Sequence, residues 1–204
     1  TPLYSSAASD VYKRQAEADL RRPGMYQGIC TQPSNIFPLD EFRPKVKEVY
    51  GIDIDWHSFA EFLGRIEEEG ISINFVPFVG HGTIRLAAMG LDYKRKATEA
   101  ELEEMRGLVG EAMGAGAFGM STGRDYPPQD YADADEVVEL AKVAKNYGGF
   151  YFTHYGGLNA NGLKEAAEIG RKTGVPVHIS HLVSAFSVKS FKSTRCLLYT
   201  SPSP

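Results

Sequence analysis

The chain of 204 residues is 43% hydrophobic and 24% charged, with 22 basic and 26 acidic side chains and a formal net charge of -4. These proportions are typical of a globular protein and exclude a disordered tail or a collagen-like repeat. No basic excess favours a nucleic-acid partner, and no apolar run approaches the ~20 residues that a membrane-spanning helix requires. Because Cys30 and Cys196 are too few for a disulfide framework, the default expectation is a reducing compartment, the cytoplasm.

The two ends of the chain lack helical or strand periodicity. Residues 1–15 read TPLYSSAASDVYKRQ, and residues 195–204 end in CLLYTSPSP. Both resemble translated adapter sequence of the kind that flanks shotgun-sequencing contigs, and such scars are excluded from fold reasoning. The alternative is a pair of irregular termini. We expect residues 16–194 to be the authentic part, a fragment of a gene that continues in both directions.

Helical and strand patterns alternate from residue 58 onward. Apolar residues at helical spacing predict helices around 59–66, 102–112, 137–144 and 163–170. Short apolar runs predict strands at 71–79, 117–120, 150–153 and 177–180. Thr98 and Asp133 are the predicted N-caps of the second and third helices. The stretch 133–136 is acidic, which suits a helix N-terminus because negative charge there interacts favourably with the positive end of the helix dipole.

This order of elements predicts an α/β fold. Continuous apolar strands separated by amphipathic helices indicate a parallel sheet covered by helices, either open and doubly wound or part of a (β/α)8 barrel. The stretch GHGTIR at 80–85 lacks the third glycine of a dinucleotide-binding loop, and the sequence contains no GxxxxGK[ST] phosphate loop. We therefore predict a partial TIM-type barrel with about half of its strands, since a complete one needs roughly 250 residues.

Two histidines stand at the ends of predicted strands, where barrel enzymes carry their functional groups. By alternation, His154 continues the row of Phe152, and His181 continues the row of Ile179. Neighbouring parallel strands lie ~4.8 Å apart, so two imidazoles at matching heights can reach one zinc ion. The alternative for each histidine is a hydrogen-bonded structural role.

Three other aromatic side chains have weaker signals. Alternation places His178 on the opposite, helix-facing side of its strand, which predicts a structural role. His81 ends an earlier strand and either faces the same rim or lies in a tight turn between two glycines. Tyr126 follows the strand at 117–120 and either overhangs the rim or covers the mouth of the barrel.

Four stretches carry a family resemblance: FVGHGTIR at 78–85, GAFGMSTG at 116–123, GGFYFTH at 148–154 and GVPVHISH at 174–181. Together with QGICT at 27–31, they resemble in order and spacing the N-acyl-D-amino-acid deacylases, or D-aminoacylases, of the amidohydrolase superfamily. The resemblance extends over nearly all of residues 16–182.

The resemblance implies roles for three residues. His154 and His181 correspond to zinc-ligand histidines, in a site of one or two ions, and Tyr126 corresponds to a tyrosine that contacts the substrate. The family's HxH zinc motif is expected before this chain begins, and its catalytic aspartate is expected beyond residue 194. Cys30 does not align with the family's zinc-binding cysteine, and Val183 stands where the family has a lysine.

These features predict a fragment of a zinc-dependent hydrolase that cleaves the amide bond of an N-acyl-(D-)amino acid into a carboxylate and a free amino acid. Zinc would polarise the carbonyl and lower the pKa of water. The expected partner is a small-molecule substrate, with no nucleic acid and no membrane. The alternatives are a cyclic-amide hydrolase of the dihydroorotase or hydantoinase kind, a metal-free barrel lyase or isomerase, and a barrel fragment that is inactive as expressed.

Overall fold

The computed structural model of the chain describes residues 26–27, 36–37, 44, 47–49, 51, 53, 55–70, 74–154 and 160–180. The terminal segments 1–15 and 195–204, both cysteines and His181 lie outside these residues. The described strands are β1 Tyr26–Gln27, β2 Ile36–Phe37, β3 Val79–Gly80, β4 Gly119–Gly123, β5 Phe150–His154 and β6 Val177–Ser180. The described helices are α1 Phe59–Glu69, α2 His81–Met89, α3 Glu99–Gly114, α4 Ala134–Asn146 and α5 Ala160–Thr173.

Strands β3 to β6 form a four-stranded parallel sheet in the order of the sequence, with one or two helices between successive strands. The two-residue strands β1 and β2 pair antiparallel. The predicted parallel α/β arrangement is therefore confirmed for β3 to β6. None of the described helices is long and apolar enough to cross a lipid bilayer.

The strand register determines which side chains share a face of the sheet. One row crosses all four strands and belongs to the hydrophobic core beneath the helices: Val79, Met120, Tyr151 and Val177. His178 pairs with Phe152 on the opposite face, and their rings stack with centroids 4.0 Å apart. The prediction that His178 faces the helices is therefore wrong. Alternation shows that Val177 and His178 point to opposite faces of the sheet, but it does not show which face the helices cover. Val177 packs against the core, so His178 lies on the face away from the helices.

Local side-chain chemistry explains where three helices begin. Ser58 forms a capping box with Glu61 at α1, and Thr98 forms one with Glu101 at α3. The Asp133 side chain accepts the Glu136 backbone N–H at the start of α4. The predicted caps at Thr98 and Asp133 are therefore confirmed.

The first predicted strand is largely wrong. Within the predicted stretch 71–79, residues 71–73 are not among those that the structure describes, and residues 74–78 have no regular structure. Strand β3 covers only Val79–Gly80. Pro77 has no N–H to donate to a strand neighbour, which weakens the pattern as a strand. The strand predicted at 117–120 instead spans Gly119–Gly123, so the Ser-Thr-Gly sequence belongs to β4 rather than to the following loop.

Helix α2 was not predicted. It begins at His81, directly after β3, where the sequence suggested a turn. Its N-cap Gly80 has no side chain to accept a hydrogen bond, so the local start signal is missing. All nine of its residues are buried, and tertiary packing rather than capping therefore stabilises this helix.

Candidate metal and substrate site

The candidate site lies at the carboxyl-terminal edge of the parallel sheet. His154 is the last residue of β5 and pairs in register with Gly123 of β4 and Ser180 of β6. It shares its face of the sheet with Phe152, as alternation predicted. His181 is the residue after Ser180 in the sequence and lies outside the described part of the chain.

The turn after β4 brings a second predicted residue to this edge. The Tyr126 backbone N–H donates to the Gly123 carbonyl at 3.0 Å, and the Gln129 N–H donates to the Tyr126 carbonyl at 2.9 Å. The buried Gln129 side chain accepts the Gly123 N–H at 2.7 Å. A Cβ atom at Gly123 would lie 3.2 Å from the Tyr126 ring, so the glycine gives the tyrosine room to fold over the strand end.

Tyr126 and His154 are neighbours. Their ring centroids are 5.5 Å apart, at an interplanar angle of 36°. Burial raises the pKa of the Tyr126 phenol, and the negative charge of Asp125 raises it further. The phenol therefore stays protonated around neutral pH and can donate a hydrogen bond to an oxygen of a bound molecule.

Asp125 adds a carboxylate to the same edge. Its Oδ2 lies 3.5 Å from His154 Nε2, and the side chains are 34% and 28% exposed, respectively. Asp125 was not predicted from the sequence. Its position was the available signal, since it follows the strand end by two residues and directly precedes Tyr126.

Arg124 anchors the turn that carries Asp125 and Tyr126. Its Nη1 donates to the Asp133 carbonyl at 2.9 Å, and its Nε lies 3.1 Å from Glu165 Oε1 in α5. The side chain is 17% exposed, so this ion pair is partly shielded from water. The arginine thereby links the turn after β4 to the helices that follow β4 and β5.

His81 does not join this edge within the described structure. Its ring is fully buried and its Nε2 lies 2.7 Å from Glu136 Oε1, while the Arg85 guanidinium contacts the other carboxylate oxygen. Arg85 also donates to the Tyr93 carbonyl at 3.0 Å. The structure thus assigns His81 to a buried ion cluster that joins α2 to α4.

Glu136 is the second residue of the structure's polar contacts that was not predicted from the sequence. Burial by itself would raise the pKa of the Glu136 carboxyl. The hydrogen bonds and charges of His81 and Arg85 have a larger effect in the opposite direction, so the pKa of Glu136 is lowered. A carboxylate only accepts hydrogen bonds, so His81 Nε2 is the protonated ring nitrogen. The acidic stretch 133–136 suggested only an interaction with the helix dipole, whereas Glu136 is 5% exposed and paired.

The donor types at the edge fit zinc. Imidazole nitrogen and carboxylate oxygen both belong to the ligand set of zinc in proteins, and His154 and Asp125 present one of each. Among the described residues, no group of three or more His, Cys, Asp or Glu side chains could hold a metal ion. The described part of the chain therefore contributes two donors that are suitable in kind.

The parallel sheet, with helices packed on the Tyr151 face and polar groups at the strand ends, is the arrangement found in part of a (β/α)8 barrel. A D-aminoacylase structure described as having a binuclear metal centre superposes with a TM-score of 0.66 at 23% identity, over 97% of this chain and 43% of that chain. The N-acyl-D-glutamate deacylase of Bordetella bronchiseptica, solved with zinc and a phosphonate inhibitor, superposes with a TM-score of 0.64 at 21% identity, over 98% and 43%. The predicted α/β fold, a parallel sheet covered by helices as in these two structures, is confirmed.

Curated sequences give the relatives of this chain. The D-aminoacylase of Alcaligenes xylosoxydans xylosoxydans is 40% identical over 126 residues, which is 60% of this chain and 26% of that protein. The N-acyl-D-aspartate deacylase of the same organism is 38% identical over 128 residues, 61% of this chain and 26% of that protein. No protein-family model matches the chain. The predicted resemblance is confirmed: over this stretch the chain is homologous to the D-aminoacylases and N-acyl-D-amino-acid deacylases.

The chain spans about a quarter of the length of these curated relatives. Both are named for the removal of acyl groups from D-amino acids, so the comparisons do not favour the cyclic-amide hydrolase alternative. One of these two solved structures has zinc bound, and the other belongs to a D-aminoacylase with a binuclear metal centre.

Proposed function

We propose that this chain is part of a zinc-dependent amidohydrolase that cleaves N-acyl-D-amino acids into a carboxylate and a free amino acid. The observation that carries the proposal is the meeting of His154 with Tyr126 at the carboxyl edge of the sheet, in a chain homologous to such deacylases. Functional groups of (β/α)8 barrels lie at this edge, and imidazole is a common zinc ligand.

The proposed ligands of the zinc ion are His154 and His181. When bound, zinc polarises an amide carbonyl and lowers the pKa of water towards ~7. This role is supported by the location of His154 at the end of β5, where it pairs with Ser180, the residue before His181. Its partial exposure leaves the imidazole accessible from the edge of the sheet.

Tyr126 is the proposed substrate contact. Its raised pKa keeps the phenol protonated, so its O–H donates to a substrate oxygen. The backbone hydrogen bonds of the turn hold the ring beside His154, so a substrate that contacts the phenol is kept close to the metal ligand. The expected substrate is therefore a small molecule with a polar oxygen next to its amide.

A chimera tests the proposal. The matching segment of the Alcaligenes D-aminoacylase is replaced by the homologous residues of this chain, and release of free amino acid from N-acetyl-D-amino acids is measured. We expect the chimera to turn over, and we expect His154→Ala to lower kcat/KM by more than about 100-fold, since outer partners of a metal alone are worth ~10–100-fold.

His57→Ala is the matched control, because His57 is an exposed histidine before α1 with its ring 3.9 Å from Glu61. Its replacement should leave turnover and bound zinc unchanged. An active chimera whose rate and zinc content are the same with and without the His154 imidazole would overturn the proposal.

A further inference from the structure

The distance between Asp125 and His154 distinguishes two kinds of contact. The 3.5 Å between Oδ2 and Nε2 exceeds the usual 2.7–3.2 Å of an N–H···O hydrogen bond. Two ligands at ~2.0–2.2 Å from a tetrahedral zinc ion lie about 3.3–3.5 Å from each other. The separation in this structure is longer than a direct hydrogen bond, lies within the range of an ion pair, and equals the spacing of two ligands on one ion.

The surroundings of the pair suit a cation. Both side chains are about one-third exposed, so an ion can enter from solvent. The turn that carries Asp125 is fixed by the Tyr126 N–H and by the Arg124 side chain. A donor held by a fixed turn loses little conformational freedom when it binds.

We propose that Asp125 is a metal ligand that shares one divalent cation with His154. This inference rests on the proposed function, because it adds a donor to the metal site that is proposed at His154. It assigns a carboxylate oxygen of the turn after β4 to the ion, alongside the imidazole of β5. The negative charge of Asp125 would partly neutralise the dication, and neutral imidazoles cannot do this.

Cobalt binding to the purified 204-residue chain tests the inference, with Co²⁺ as a spectroscopic substitute for zinc. We expect the wild-type chain to bind Co²⁺ and to show its visible absorption bands. Asp125→Asn should weaken binding by more than about 100-fold, a larger loss than the ~10–100-fold that removal of an outer partner causes. Asp130→Asn is the matched control, because it removes one carboxylate from an exposed position in the same segment.

A second variant tests direct ligation rather than nearby charge. Asp125→Cys is made in a Cys30→Ser, Cys196→Ser background, which removes both natural thiols. Cobalt should then produce a thiolate-to-metal charge-transfer band in the near ultraviolet that the double-serine parent lacks. Circular dichroism of each variant confirms that it is folded.

The outcomes separate the inference from the proposed function. If His154→Ala abolishes cobalt binding while Asp125→Asn binds as tightly as wild type, Asp125 is only a charge partner of the imidazole; the inference is then wrong and the proposed function stands. If His154→Ala also binds as wild type, the proposed zinc site is wrong as well. A wild-type chain that binds no cobalt, or an Asp125→Cys chain without the charge-transfer band, overturns the inference.

Discussion

At the scale of single residues, the buried Glu136 connects two helices through opposite charges. His81 and Arg85 are fully buried, and each contacts one oxygen of its carboxylate. Glu136→Gln keeps the shape of the side chain but leaves the Arg85 guanidinium without this counter-charge. Removal of one partner of a buried pair costs about 3–5 kcal/mol, and we expect a loss of that size in the free energy of unfolding measured in urea.

The control for this prediction is Glu139→Gln, in the same helix α4. Glu139 is 32% exposed and pairs with Lys142 at 2.6 Å and Arg106 at 3.2 Å. Each exposed ion pair contributes about 0.2–1 kcal/mol, so the loss of two should cost no more than about 2 kcal/mol. Equal losses for the two variants would show that the buried carboxylate has no special role.

Glu101 makes a pH-dependent contribution that can be isolated. The pKa of the Glu101 carboxyl is lowered to about 2. The largest cause is the hydrogen bond from the Arg95 guanidinium, and the Thr98 backbone N–H and hydroxyl add to it. Because the folded-state pKa is lowered, its stabilisation is complete above the unfolded pKa of ~4.3 and is lost as the pH falls towards 2.

We therefore expect the stability difference between wild type and Glu101→Gln to shrink as the pH falls from about 5 to about 2.5, given an unfolded pKa of ~4.3. Urea unfolding at a series of pH values measures it, with Glu104→Gln as the control for the loss of one negative charge in α3. A difference that stays constant over this interval would contradict the pKa assigned to Glu101.

At the scale of elements, the contact between β4 and β5 depends on Gly119. A Cβ atom at this position would lie 2.1 Å from the Phe150 carbonyl oxygen, which belongs to the backbone of the neighbouring strand. Gly119→Ala therefore forces the two strands apart, and overpacking of this kind costs about 1–3 kcal/mol or more. The midpoint of thermal unfolding should fall accordingly.

Gly107→Ala is the matched control, since Gly107 lies within α3 and a Cβ there meets no atom within 4 Å. Alanine in a helix interior is favoured over glycine by roughly 0.5–1 kcal/mol, so this variant should be more stable than wild type. If both alanine variants moved the midpoint in the same direction, close approach at Gly119 would not be the cause.

The same elements show what the sequence can predict. Thr98 and Asp133 were identified as caps because capping chemistry is local and independent of the rest of the fold. Helix α2 was missed because burial of its whole surface stabilises it, and no local signal marks its start. The facing of His178 was wrong for a related reason: alternation is local, but the face that packs against helices is a tertiary property.

At the scale of the whole molecule, the candidate site combines residues from separate βα units. The sequence predicted His154 at the rim and left Tyr126 either at the rim or over the mouth of the barrel, and the structure has the two rings 5.5 Å apart. It did not predict Asp125, because the approach of this carboxylate to His154 depends on the register of β4 against β5 and on the turn that follows. A pattern within one element carries neither piece of information.

A cation shared by the turn after β4 and the end of β5 should also stabilise the folded chain. Asp125 and His154 are brought together by folding, so the proposed site binds the folded state in preference to the unfolded one. Zinc at 100 times its dissociation constant should then raise the free energy of unfolding by about 2.7 kcal/mol, and a chelator should remove the increment.

Urea unfolding of wild type and His154→Ala, each with zinc and with chelator, measures this effect. His154→Ala should show no increment, because loss of the imidazole removes the linkage while the strand pairing of β5 remains. An equal increment in both proteins would place the stabilising zinc at other residues.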